Sequence, residues 1–137
     1  MNKPKGDEFV LTRTGELPAR LTGKLIIGLS SQKVNNRDRN RWHEIDIIVA
    51  DSGKYVAHVR WRSEWKGETN HDTCIVTEDA DKLADELRDY DPLGHLMGFP
   101  DGAQFESKQQ RLEEFVERDW DDLLTKSFTA LGVSEEI

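Results

Sequence analysis

Cysteine is nearly missing from this chain of 137 residues, and Cys74 is the only one. One thiol cannot form an internal disulfide, so the fold has to rest on packing. No apolar run approaches the roughly 20 residues that a membrane-spanning helix needs. The opening Met1-Asn2-Lys3-Pro4-Lys5-Gly6 lacks the apolar segment of a secretory signal. These absences together lead us to expect a cytoplasmic protein. There is no phosphate-binding glycine signature, no nucleophile elbow, no Cys/His arrangement and no zinc-ligand spacing. The sequence therefore offers no positive sign of catalysis, and no cofactor is expected. Internal repeats and low-complexity tracts are missing too.

Charge is abundant and unevenly spread. Residues 1–62 hold 12 Lys/Arg against 7 Asp/Glu, whereas residues 63–137 hold 7 against 20, for a net −8. Such asymmetry bears on partners and not on fold. The length suits a single domain over 1–137 with a real core, with 1–7 as a frayed tail.

The most informative stretch runs from Arg41 to Arg62, which reads as a β-hairpin with strands near 42–50 and 54–62. A three-residue loop, Asp51-Ser52-Gly53, with Gly53 left-handed, makes paired residue numbers sum to 104. Ile45, Ile47 and Val49 then face Val59, Ala57 and Tyr55. On the opposite face Glu44 meets Arg60, Asp46 meets His58, Trp42 meets Arg62, and Ile48 meets Val56. A two-residue loop would send the apolar residues of the two strands to opposite faces, so the sum of 104 is preferred.

Around the hairpin, Phe9–Arg13 and Thr73–Val76 read as short strands. Leu21, Gly23, Leu25, Ile27 and Leu29 alternate with Arg20, Thr22, Lys24 and Ser30, the period of a half-buried strand. Thr77 is the expected N-cap of a helix whose apolar face is Ala80, Leu83, Ala84 and Leu87. The stretch 91–104 holds two Pro and three Gly and reads as a loop. A longer helix follows, with Ser107 and Gln110 as a capping box and Gly132 as a left-handed stop. About 24 residues at 1.5 Å each span roughly 36 Å, enough to cross a sheet. The expected fold is α+β: a twisted antiparallel meander of four to five strands with two C-terminal helices packed on one face.

Three site hypotheses come from different chemistries. The first is an acidic helical surface, Asp81 and Asp85 on one helix with Glu113, Glu114, Glu117, Asp121 and Asp122 on the other. Such a surface can steer and dock a basic protein partner; the bland alternative is a solvated helix face. The second is an Arg/Trp patch of Arg37, Arg39, Arg41, Arg60, Arg62, Trp42, Trp65 and Lys66. Its cations would neutralise phosphates and its aromatic faces would stack on bases of a single strand, unless local carboxylates such as Glu44 already satisfy the arginines. The third is a small-molecule or metal site near the 91–104 loop, where His95 sits among Gly and Pro. The bland reading there is a rigid connection whose Leu, Met and Phe plug the core edge. His43, His58 and His71 lie near carboxylates without the spacing of a metal motif. Cys74 fits a buried filler.

The run Gly53-Lys54-Tyr55-Val56-Ala57-His58-Val59-Arg60 follows a hairpin turn. The Trp65-Lys66-Gly67 loop, a strand at Cys74-Ile75-Val76 and a helix with Leu83 and Leu87 come after it. This order, over about a third of the chain, resembles the single-stranded-DNA-binding coactivator family. The resemblance implies a four-stranded sheet with a dimerising helix, and it assigns no functional residue here. The reading we favour is a non-enzymatic binding or regulatory protein, suited to a phage- or plasmid-type accessory or inhibitor role, docking on a basic protein. Single-stranded nucleic-acid binding is the alternative. Adjacent Leu123 and Leu124 with Phe128 and Leu131 also raise a homodimer through the last helix.

Overall fold

Asp51, Ser52 and Gly53 form the turn from which the sheet grows. Gly53 has φ +90°, and the Ala50 N–H donates to the Lys54 carbonyl at 2.8 Å to close the loop. The computed structural model describes residues 6–33, 40–98 and 102–134. The flanking strands are Arg41–Ala50 (β3) and Tyr55–Ser63 (β4), paired from Arg41↔Ser63 to Val49↔Tyr55, so the numbers do sum to 104. Ahead of them come Asp7–Leu11 (β1) and Ala19–Ser30 (β2), and after them His71–Thr77 (β5). All neighbours are antiparallel in the order β1-β2-β3-β4-β5. Two helices follow, Ala80–Asp89 (α1) and Glu106–Leu131 (α2), and the fold is α+β.

One face of the sheet carries the helices. Ile45, Ile47, Ala57 and Val59 are fully buried against Leu83 and Leu87 of α1 and Trp120, Leu123 and Leu124 of α2. The opposite face holds a second, smaller core: Leu11, Ile48 and Val56, with Phe9, Ala19, Leu21 and Cys74 packed around them. Ile47 and Ile48 are thus both at zero exposure, one on each side. The second core exists because the sheet curls. The turn after β1 reaches across to the last strand, where the Thr14 N–H donates to the Asp72 carbonyl at 2.9 Å. The Asp72 N–H returns a bond to Thr14 Oγ1 at 2.8 Å, and the Thr12 hydroxyl donates to the Asp72 carboxylate.

β2 departs from the expected single alternation. Gly23, Lys24 and Leu25 pair with Ala50, Val49 and Ile48, but Ile27 then pairs with Ile47, so one extra residue is accommodated between Leu25 and Ile27. A bulge of this kind switches faces. Leu21, Gly23 and Leu25 lie on the side of Ile48, whereas Ile27 and Leu29 pack on the helix-facing core. Leu25 and Ile26 are left 49% and 37% exposed at the crossover. At Gly23 the strands approach closely, since a Cβ there would stand 2.3 Å from the Val49 carbonyl oxygen.

The helix starts also differ from expectation. Asp79, not Thr77, caps α1, and its carboxylate accepts from the Lys82 N–H at 2.8 Å. The Thr77 hydroxyl donates instead to the Asp79 carbonyl at 2.9 Å. Removing the cap with Asp79→Ala should cost about 1 kcal/mol, read as a shift in urea midpoint at unchanged slope. α2 begins one residue before Ser107, running on from a 3-10 turn at Ala103–Phe105 with no side-chain cap. Its end is as expected: Gly132 has φ +71°, and the Val133 and Gly132 N–H groups donate to the Phe128 and Thr129 carbonyls. Of the expected tail, residues 1–5 lie outside the described residues, and Asp7 already belongs to β1.

Candidate functional site

Three cations of the Arg/Trp patch, Arg41, Arg60 and Arg62, are engaged by carboxylates within the chain. Arg60 sits opposite Glu44, as the register requires, and its Nε donates to Glu44 Oε1 at 3.0 Å. Its Nη1 reaches Asp46 Oδ2 at 2.9 Å, so Asp46 takes its charge partner from the diagonal neighbour and not from His58 directly across. Burial works against the charged guanidinium, but the bonds to Asp46 and Glu44 outweigh it and raise the Arg60 pKa. Glu44 accepts in addition from the Trp42 indole at 2.9 Å. Burial would raise its pKa, but the bonds from Trp42 and Arg60 prevail and lower it. Arg62 pairs with Asp72, whose pKa is likewise lowered because that bond and the Thr12 bond overcome burial.

Arg41 is the most enclosed of the three. Its Nε bonds both oxygens of Glu68 at 3.1 Å, with the two side chains only 4% and 1% exposed, and its guanidinium lies 4.6 Å above the Trp65 ring. Lys66 is exposed, and Arg37 and Arg39 lie outside the described residues. Cross-strand placement inside the hairpin was enough to suggest the Glu44 contact. The Glu68 contact had no such signal, because 27 residues separate the partners.

His58 has both ring nitrogens occupied. Nε2 stands 2.7 Å from the Thr12 carbonyl and Nδ1 2.9 Å from Arg60 Nη1. A carbonyl can only accept, so Nε2 carries the proton, and in the neutral ring Nδ1 accepts from Arg60. Burial first, and then Arg60, lower its pKa against the opposing pull of Thr12, Asp72 and Asp46.

On the other face His43 is buried among Trp61 and Trp120, each with its ring centre 4.8 Å away, and Tyr90 at 5.9 Å. Burial, with His95 as a minor influence, pushes its pKa down to about 3. His71, two strands over, stacks on His95 of the 91–98 stretch at 3.7 Å. Leu93 and Leu96 from that stretch pack on Trp61, Leu112 and Val116, so its leucines plug the core edge, whereas Met97 is 48% exposed and Phe99 lies outside the described residues. Among the described residues no group of three or more His, Cys, Asp or Glu is placed to hold a metal ion. Cys74 is half-buried beside the second core, and burial pushes its thiol up.

The acidic residues present a different picture. Asp81, Asp85, Glu114, Glu117, Asp121 and Asp122 are exposed on α1 and α2, with Glu113 half-exposed. Asp85 pairs with Arg88 and Asp122 with Lys126, each along its own helix and largely in solvent. Such pairs contribute little. Glu113 and Glu114 accept from Gln109 and Gln110 amides, which leave their charge uncompensated. Asp81, Glu117 and Asp121 have no cationic partner among the described residues. Of the apolar residues that suggested a homodimer, Leu123 is 1% and Leu124 9% exposed, while Phe128 and Leu131 pack on the same core and stay partly exposed.

The architecture is that of an α+β domain, and no helix among the described residues is long and apolar enough to cross a membrane. Comparison with protein-family models, with curated proteins and with solved structures finds no match for the chain.

Proposed function

We propose that this is a non-enzymatic binding protein that docks on a basic protein partner through the acidic surface of α1 and α2, as a phage- or plasmid-type accessory or inhibitor protein would. Charge segregation carries the reading. The five strands hold five acidic and five basic residues, a net of zero, and Arg41, Arg60 and Arg62 are each engaged by a carboxylate. The two helices hold eleven acidic and six basic residues, a net of −5, mostly facing water. An array of uncompensated carboxylates on rigid helices raises the encounter rate with a positive surface and fixes its orientation.

Affinity capture from nuclease-treated lysate of the source cell, followed by mass spectrometry, tests the reading. Wild-type protein should retain a basic protein, and the variant Glu117→Lys/Asp121→Lys/Asp122→Lys should lose it. Retention of single-stranded oligonucleotide that falls steeply with salt and survives those helix substitutions would replace this reading with nucleic-acid binding by the sheet side.

A further inference from the structure

The acidic surface includes a cavity of about 220 Å³ between the end of α1 and the middle of α2. Its floor is aromatic and aliphatic, from Tyr90, Trp120 and Leu124, and its rim carries Glu117 and Asp121. We propose that this groove seats one arginine or lysine side chain of the protein partner; the inference rests on the docking role argued above.

The volume falls below the roughly 300–1,000 Å³ of pockets that enclose drug-sized molecules, and it suits a single side chain. Glu117 and Asp121 are four residues apart, so they project from the same side of α2, where like charges repel. Neither has a cationic partner among the described residues. Arg88 also lines the groove, but its guanidinium is held by Asp85 at 3.0 Å and lies 4.7 Å over the Phe128 ring. Arg88 therefore pairs with neither Glu117 nor Asp121, and the two rim carboxylates are left to attract a cation. A long basic side chain has the matching form, with an apolar stem for Leu124 and the rings and a charged head for the rim.

The test uses the full chain and a nine-residue arginine peptide, followed by NMR titration at low salt. The Trp120 indole N–H and Leu124 methyl signals should shift and saturate. Affinity should fall about tenfold in Glu117→Gln/Asp121→Asn, but less than about twofold in Asp81→Asn/Glu114→Gln, which removes the same charge elsewhere. All four positions are at the surface, and unchanged melting temperatures would exclude misfolding. Equal weakening by both double variants would overturn the groove and leave general acidic docking intact. No binding by the wild-type chain would overturn both.

Discussion

Glu68→Ala is expected to lower the unfolding free energy by about 3–5 kcal/mol, because it strands a buried guanidinium. The Glu68 backbone is partly exposed, but the side chain is only 1% exposed, and it is the side chain that meets Arg41. The same carboxylate accepts from the Met97 N–H at 2.9 Å, and Arg41 Nη2 reaches the Met97 carbonyl at 3.4 Å. One ion pair therefore ties β3, the β4–β5 connection and the 91–98 stretch together. Urea unfolding at constant slope measures the loss. Replacing both partners, as in Arg41→Met/Glu68→Leu, should recover most of the stability, since no unpaired charge remains. By contrast, Asp122→Ala removes a solvent-exposed pair and should cost within about 0.5 kcal/mol. A Glu68→Ala loss below about 1 kcal/mol would mean that the pair is hydrated and not enclosed.

Stability should also fall steadily as the pH drops below about 6.5, with His43 as the main cause. The imidazole is 2% exposed, and burial holds its folded pKa at about 3 against 6.5 when unfolded. Its folded pKa is depressed, so its contribution is complete above the unfolded value and is lost on the way down to the folded one. Across that window unfolding takes up a proton, at about 1.4 kcal/mol per pH unit. His58 and His95 are lowered in the same direction. Glu44 and Asp72, held low by their arginines, add to the loss at more acid pH. His43→Phe keeps a ring between Trp61 and Trp120 and removes an Nε2 that has no hydrogen-bond partner. It should flatten the limb between pH 6 and 4 by about 1.4 kcal/mol per unit without loss of stability at pH 8. Equal slopes in the two proteins would show that His43 titrates normally.

What the sequence revealed depended on how far apart the partners lie. The β3–β4 register, its two faces and the Glu44–Arg60 contact follow from a single turn, because a three-residue loop leaves one pairing that suits both faces. The bulge in β2 left no such trace. Leu25, Ile26 and Ile27 are all apolar, so an extra residue there does not disturb the apparent alternation. Thr77, Glu78 and Asp79 offer several oxygens near one helix start, and only coordinates pick out the one bonded to the Lys82 N–H. Arg41 read as a surface cation because its partner lies beyond the hairpin, in the β4–β5 connection. The acidic face was legible as composition. The groove within it depends on Tyr90 meeting α2, which local pattern does not encode.

The contact between Thr14 and Asp72 joins positions 58 residues apart, whereas each strand pairs with its immediate neighbour in the chain. Neighbouring hairpins form at low entropic cost, and a ring-closing contact gains only after all of them are in place. Substitutions at Thr12 or Thr14 should therefore leave the refolding rate nearly unchanged and accelerate unfolding, with φ-values near zero. Lifetime of the native state, more than speed of reaching it, is what this seam controls.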